Sequence, residues 1–240
     1  AEASDLSADD VIIASTGVIG QPLPIEPIAT GMKPLVDALS YEGGEDCAAA
    51  IMTTDLVAKY CAVTVDIGGK TVTVGGIAKG SGMIHPNMAT MLVFITTDAA
   101  ISSEMLQKAV STDVQNTFNM ISVDGDTSTN DMLSVMANGL AGNAEITAAG
   151  ADFDAFAAAL HTVTSHLSRA IARDGEGATK LLTCTVTGAT DDATARVLAR
   201  SVISSSLVKT AMFGSDANWG RVLCALGYSG APFNPCLLYT

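Results

Sequence analysis

Two strand-like runs separated by a pair of glycines constrain the fold of this chain more than any other feature. Residues 60–66 and 70–77 are rich in Val, Thr and Ile, and Gly68 and Gly69 lie between them. Because adjacent glycines accept the positive φ angles of a tight turn, this pattern predicts a β-hairpin. The chain is therefore expected to contain a sheet on which other elements pack in layers.

Helix-like and strand-like patterns alternate along the rest of the chain. Helical spacing or a helix-capping pattern predicts helices over 25–39, 104–120, 132–137, 151–172 and 193–207. Apolar, β-rich runs predict strands over 11–15, 90–97 and 180–187. No internal repeat or obvious linker interrupts this order, so the sequence predicts a layered α/β or α+β fold.

Composition narrows the function classes. The chain has 12 basic and 25 acidic residues, a net charge of −13 and no Lys/Arg cluster, which argues against a nucleic-acid partner. No apolar run reaches the roughly 18 residues of a membrane span, and the first ten residues lack the features of a secretory signal. The five cysteines are odd in number and form no C-x-x-C pair, which favours the cytoplasm and argues against a metal site: Cys47, Cys61, Cys184, Cys224 and Cys236.

A glycine-rich segment directly before a strand-like run carries the most distinctive chemistry. Residues 75–90 read GGIAKGSGMIHPNMAT and contain four glycines. Such a loop can hold strained backbone, and a strained peptide bond next to a hydroxyl favours an N-to-O acyl shift. Thr90 could attack the Ala89 carbonyl in this way, and hydrolysis of the ester would leave Thr90 with an α-amine that serves as its own general base.

Phosphate-binding and calcium-binding motifs do not match the polar segments of this chain. A phosphate-binding P-loop requires Ser or Thr after its lysine, whereas Gly80 follows Lys79. An EF-hand-type calcium loop over 124–135 would need Gly at its sixth position and Glu at its twelfth, where this chain has Thr129 and Val135. An ordinary loop before a strand does match the glycine-rich segment, so the pattern by itself leaves self-cleavage open.

Six segments of the chain resemble the ornithine acetyltransferase (glutamate N-acetyltransferase) family. The longest is KGSGMIHPNMATMLVFITTDA, and the others are STGVIGQPLP, IMTTD, SVDGDTSTND, RDGEGATK and KTAMFGSDANWGRVLCALGYSG. They occur in family order across nearly the whole chain. The resemblance implies an N-terminal-nucleophile-like αββα sandwich, in which 1–89 belong to an α chain and 90–240 to a β chain of one catalytic unit.

The resemblance also implies a catalytic centre. The family is cleaved before the threonine of ATML, which corresponds here to the bond between Ala89 and Thr90. Thr90 would then be the acetyl-carrying nucleophile. Thr16 and Gly17 match the oxyanion-hole pair of the family, a hydroxyl and a backbone N–H, and both are expected where the strand over 11–15 ends in a turn.

A second set of positions matches the substrate-binding residues of the family. Thr53, Lys79 and Glu176, together with Thr90, would hold the amino-acid substrate. An ammonium suits a substrate carboxylate, and a carboxylate suits a substrate amine. The motif IMTTD leaves open whether Thr53 or Thr54 makes the contact.

The function implied by the resemblance is transfer of an acetyl group from N2-acetyl-L-ornithine to L-glutamate in arginine biosynthesis. No cofactor is expected, use of acetyl-CoA as donor stays open, and the assembly would be a heterotetramer of two α and two β chains. Family members extend beyond both ends of this chain, so we expect it to fold poorly and to turn over little substrate by itself. The alternatives are an N-terminal-threonine peptidase or amidase and an inactive fragment.

Overall fold

The computed structural model describes residues 1–85 and 91–235, and within them four strands form one mixed sheet. The strands are β1 (Lys59–Ile67), β2 (Lys70–Lys79), β3 (Leu92–Thr97) and β4 (Met132–Ala137), in the spatial order β1-β2-β3-β4. β1 and β3 pair antiparallel with β2, whereas β4 lies parallel to β3. Gly68 and Gly69 have φ values of 58° and 78°, so the hairpin turn predicted from the sequence is confirmed.

Seven helices accompany this sheet in the described part of the chain. They are α1 (Ile25–Asp37), α2 (Gly44–Ala50), α3 (Ser103–Asp113), α4 (Ala151–Arg173), α5 (Asp192–Ser204), α6 (Ser206–Phe213) and α7 (Trp219–Gly227). Side chains that accept a backbone N–H begin four of them, as expected of N-caps: Ser102, Asp191, Ser205 and Asn218. Short 3-10 helices cover Glu2–Ser4, Ala8–Asp10 and Phe118–Met120. No helix in 1–85 or 91–235 is long and apolar enough to cross a membrane.

The main core lies between one face of the sheet and α4. Val74 and Ile95 from the sheet are fully buried with Leu160 and Leu167 from α4. Full burial of such a side chain stabilises a fold by about 1.5–3 kcal/mol. A Cβ on Gly76 would lie 3.0 Å from Ile95 and 3.2 Å from Leu167, so the missing side chain lets the helix approach the strand. The α/β layering is confirmed. In the described residues the sheet is a single layer of four strands.

A second, smaller core joins the three C-terminal helices. Leu198 and Val202 of α5 pack with Val208 of α6 and with Ala225 and Leu226 of α7. These helices therefore form a compact group beside the main core.

Three secondary-structure predictions are wrong in the described residues. Residues 11–15 form no strand, and neither do residues 180–187. A β-rich run becomes a strand only when another strand pairs with its backbone. Residues 132–137 form β4 instead of a helix, because they pair in parallel with β3 and the Ser128 hydroxyl accepts the N–H of Asn130 in a local turn instead of capping a helix.

Candidate functional site

A buried ion triad lies at the start of β1. The ammonium of Lys59 is 2.6 Å from a carboxylate oxygen of Asp55 and 2.6 Å from one of Asp174. All three side chains are almost inaccessible to solvent. Because Asp174 follows α4 directly, this triad ties the end of the long helix to the first strand of the sheet.

Asp55 also fixes two loops that carry site residues. Its oxygens accept the N–H of Gly80 at 2.7 Å and that of Thr53 at 3.2 Å. Burial by itself raises the pKa of Asp55. The N–H of Gly80, the ammonium of Lys59 and the N–H of Thr53 outweigh it and hold that pKa below its ordinary value. The carboxylate is therefore stable as an anion in the folded protein.

Asp174 plays the corresponding part on the helix side. It accepts the N–H of Leu56 at 3.0 Å and that of Val57 at 3.4 Å. Two residues later, the N–H of Glu176 donates to the carbonyl of Ser81 at 2.8 Å. The triad and its backbone bonds thus bring together the three loops that hold the predicted substrate-binding residues.

Lys79, the last residue of β2, is the buried cation at the centre of this arrangement. Its side chain is buried, at 3% exposure, and its ammonium donates to the hydroxyl of Thr53 at 2.9 Å. Unlike Lys59, it forms no ion pair with a carboxylate in residues 1–85 or 91–235. The hydroxyl of Thr54 lies instead 3.1 Å from that of Ser81, so Thr53 is the threonine that joins Lys79.

Glu176 contacts the loop that follows Lys79. A Cβ on Gly82 would be 2.5 Å from the carboxyl carbon of Glu176, so the carboxylate rests directly on the glycine. The side chain is exposed, unlike that of Lys79. The structure therefore brings a buried ammonium, a hydroxyl and an accessible carboxylate to one loop cluster.

The predicted oxyanion pair lies in a separate segment. Thr16 and Gly17 are in irregular structure, and the preceding carbonyl, that of Ser15, accepts the side-chain N–H of Asn130 at 3.2 Å. The expectation that they end a strand is wrong, because 11–15 have no strand partner in the described ranges. Hydrogen bonds within those ranges do not connect Thr16 or Gly17 to the Lys79 cluster. Ala89 and Thr90 lie outside the described residues.

Asp131 is a candidate residue that sequence reasoning missed. One carboxyl oxygen accepts the N–H of Met91 at 2.6 Å, and the other is buried without a hydrogen-bond partner among the described residues. Burial raises the pKa of Asp131 to about 6, and the N–H of Met91 only partly opposes that rise. The one signal in the sequence is its place at the end of SVDGDTSTND, where the spacing points to a helix cap instead.

The backbone ahead of the predicted cleavage bond is strained. Met83 has a φ of 55°, a left-handed conformation that non-glycine residues rarely adopt. The carboxylate of Asp124 holds it in place by accepting the N–H groups of Met83 and Ile84, at 2.5 and 3.0 Å. His85 Nδ1 lies 3.0 Å from the hydroxyl of Ser122. Clusters of His, Cys, Asp and Glu that could hold a metal are absent from the part of the chain described.

Comparison with known proteins identifies the family. The ArgJ family profile matches residues 1–238. The chain is 57% identical to the arginine biosynthesis bifunctional protein ArgJ of Symbiobacterium thermophilum and 54% identical to that of Listeria monocytogenes, with 98% of this chain aligned in each case. The chain belongs to the ArgJ family. It spans 58% of the length of each of these two relatives.

A solved ArgJ structure supports the fold assignment. The crystal structure of arginine biosynthesis bifunctional protein ArgJ from Bacillus halodurans is 54% identical in sequence and superposes with a TM-score of 0.59. The superposition covers 60% of this chain and 68% of that one. The α/β fold class implied by the resemblance is thereby confirmed for this ArgJ-family chain.

Proposed function

We propose that this chain forms part of a self-processing acetyltransferase that moves an acetyl group from N2-acetyl-L-ornithine to L-glutamate in arginine biosynthesis. The observation that carries the proposal is the buried ammonium of Lys79, which contacts the hydroxyl of Thr53 and has no carboxylate partner among the described residues. A buried charge is costly unless an opposite charge approaches it. An amino-acid carboxylate supplies that charge.

The charges of the two proposed substrates match the rest of the cluster. Both carry an α-carboxylate for Lys79, and the ornithine part also carries a side-chain ammonium for Glu176. The exposed position of Glu176 beside Gly82 leaves its carboxylate accessible to such a ligand. Charge-assisted hydrogen bonds of this kind are about twice as strong as neutral ones. The cluster therefore favours a zwitterionic amino acid over a neutral acyl compound.

Maturation would precede catalysis. The hydroxyl oxygen of Thr90 attacks the carbonyl carbon of Ala89, the C–N bond breaks, and the nitrogen takes up a proton to become an α-amine. Water then hydrolyses the ester, which leaves a carboxylate on Ala89 and a free hydroxyl on Thr90. The left-handed backbone conformation of Met83, upstream of this bond, is consistent with strain that favours the cleavage.

Acetyl transfer would then proceed in two steps. The α-amine of Thr90 accepts the proton of its own hydroxyl as the oxygen attacks the acetyl carbonyl, and ornithine leaves with that proton on its nitrogen. The amine of glutamate next attacks the acetyl-threonine ester and regenerates the hydroxyl. Thr16 and the N–H of Gly17 would stabilise the oxyanion in both steps.

The assembly and setting follow from the same proposal. Residues 1–89 and 90–240 become the α and β chains of one catalytic unit, and two of each form a heterotetramer. Acetyl-CoA serves as an additional acetyl donor only if it can acetylate Thr90 in place of acetylornithine. The scattered cysteines favour the cytoplasm.

Cleavage and binding test the proposal separately. Mass spectrometry of the purified chain should show two pieces that meet between Ala89 and Thr90, and Thr90→Ala should remain a single species. Calorimetry should show that Lys79→Met loses binding of N-acetylornithine, whereas Lys70→Met, on the exposed start of the same strand, keeps it. An uncut chain, or equal binding by both lysine variants, would contradict the proposal.

The peptidase or amidase alternative predicts a different product balance. Even if turnover by this chain alone is small, any release of ornithine from acetylornithine should require glutamate, with one N-acetylglutamate formed for each ornithine. Release of acetate and ornithine without glutamate would favour hydrolysis.

A further inference from the structure

A cavity of about 620 Å³ lies between α4 and the C-terminal helices α5 and α6. Residues between 116 and 123 line it from the side of the main core. The extended segment 176–184 closes it between α4 on one side and α5 and α6 on the other. Glu176 is shared with the Lys79 cluster, but Thr53 and Lys79 do not line the cavity. It is therefore a separate space that adjoins the proposed substrate site.

The charge of this cavity is opposite to that of the chain. Its described lining contains one carboxylate, that of Glu176, and four cationic side chains: Arg169, Lys180, Arg196 and Lys209. The whole chain has only 12 basic residues against 25 acidic ones, so a third of its cations line one cavity. Such a concentration creates a local positive potential in an acidic protein.

None of these four cations forms an ion pair with a carboxylate of the described residues. Arg196 donates to the amide oxygen of Asn116 at 3.0 Å, a neutral acceptor. Lys209 donates to the carbonyls of Ser122 and Val123 at 3.2 and 2.6 Å, which are also neutral. These contacts fix the direction of each cation, and Lys209 also has a nearby carboxylate, that of Asp124, which partly offsets the lowering of the Lys209 pKa by burial.

The two remaining cations come from the extended segment and from α4. Lys180 donates to the carbonyls of Met212 and Phe213 at 2.7 and 3.2 Å and to the hydroxyl of Ser215. Arg169 projects from the exposed side of α4 and has no hydrogen-bond or ion-pair partner among the described residues. Its five N–H donors are available to a ligand that enters the cavity.

Apolar side chains complete the lining between these cations. They come from the core side, from α4, from the extended segment and from the C-terminal helices: Met120, Ile121, Ala172, Leu182, Ile203 and Phe213. A cavity of this volume with an apolar lining and a few convergent polar groups is typical of small-molecule sites. Its lining can hold an apolar portion of a ligand while the cations hold its charge.

We infer that this cavity binds a small organic anion, one that carries a phosphate or carboxylate group next to an apolar portion, with Arg169 and Arg196 as the principal contacts of the anionic group. Arginine presents a planar fork of donors that matches either group in a bidentate manner. The inference does not depend on acetyl transfer, because the cavity residues other than Glu176 have no part in the proposed reaction.

Four probes separate the contributions of charge and apolar surface. 1-Naphthyl phosphate and 1-naphthoate carry the two anionic groups on one apolar frame, 1-naphthol lacks the anion, and inorganic phosphate lacks the apolar frame. Calorimetry on the whole chain should show saturable one-to-one binding of at least one naphthyl anion, with both naphthol and inorganic phosphate about tenfold weaker or more. The tighter naphthyl anion then identifies the natural ligand as a phosphate or a carboxylate.

Arginine variants locate the site. Arg169→Ala should weaken the tighter naphthyl anion about tenfold, and Arg169→Ala with Arg196→Ala should weaken it further. The matched control is Arg173→Ala, which removes an exposed arginine one turn along α4 that does not line the cavity, and it should bind as the wild type does. Arg169→Ala alone decides the matter if the double variant loses its native circular dichroism spectrum.

Three results would overturn the inference. They are the absence of saturable binding by either naphthyl anion, naphthol binding as tightly as the anions, and Arg169→Ala binding no more weakly than Arg173→Ala. None of these results depends on cleavage at Thr90 or on acetylornithine binding. The cavity inference and the proposed function are therefore tested by separate measurements.

Discussion

Removing the charge of Lys59 should be among the most destabilising single changes in this chain. Lys59→Met keeps most of the side-chain volume but leaves Asp55 and Asp174 buried without their shared cation. Breaking a buried ion pair from one side costs about 3–5 kcal/mol. Both carboxylates retain two backbone N–H donors, so we expect the lower end, about 3 kcal/mol. For a chain of this size that corresponds to a melting temperature lowered by about 6–12 °C.

Thermal and urea unfolding followed by circular dichroism would measure this cost against a matched lysine. Lys33 forms an exposed ion pair with Asp37 at 2.9 Å, and the two residues are four apart, as are Asp55 and Lys59. Lys33→Met should therefore lower the free energy of unfolding by less than about 0.5 kcal/mol. The difference between the two variants in free energy of unfolding should become smaller as the pH falls through the depressed pKa of Asp55, because protonation of Asp55 removes the charge that Lys59 stabilises. Equal losses for the two variants at neutral pH would refute the reasoning.

Three further changes test the surroundings of the site. Gly82→Ala should displace the carboxylate of Glu176 and weaken acetylornithine binding about tenfold in calorimetry, with little loss of stability because the side chain can rotate away. Asp131 binds more protons folded than unfolded between its ordinary pKa of 3.8 and about 6, so its ionisation lowers stability as the pH rises through that window. In urea unfolding, Asp131→Asn, which can still accept the N–H of Met91, should therefore gain stability over the wild type between about pH 3.5 and pH 7.5, by on the order of 1 kcal/mol because solvent partly screens this half-buried carboxyl. A difference that stays constant with pH would contradict this. Lys79→Met should leave the melting temperature unchanged or raised, opposite to Lys59→Met, because it removes a buried charge that lacks a carboxylate partner in the described residues.

Local signals predict those parts of the fold that depend on neighbouring residues. The Gly68-Gly69 turn and the long helix α4 match their predicted bounds within a residue or two, since turn chemistry and helical spacing are properties of short stretches. The helix predicted over 132–137 is wrong for the opposite reason. Its capping-like spacing is local, whereas the strand it forms depends on parallel pairing with β3, some 40 residues earlier in the chain.

The candidate site shows the same division. Family resemblance indicates Thr53, Lys79 and Glu176, and the structure places all three around residues 80–82. Nothing in the sequence indicates that Asp174 reaches Lys59, which lies 115 residues away. The partners of a buried charge are set by packing between distant elements, and a single sequence does not contain that information in local form.

The two buried lysines of the hairpin differ in how their charges are paired, which suits the proposed binding role of Lys79. Lys59 begins β1 and is saturated by two carboxylates, so its charge contributes to structure alone. Lys79 ends β2, next to Ala78, the residue that pairs with Lys59, and meets only a hydroxyl among the described residues. Asp55 accepts hydrogen bonds from the ammonium of Lys59 and from the N–H of Gly80, the residue after Lys79. The ion pair of Lys59 therefore also fixes the backbone next to Lys79. The contacts around Lys59 thus offset the free-energy cost of burying the Lys79 ammonium. In the proposed function, a bound substrate carboxylate would reduce that cost.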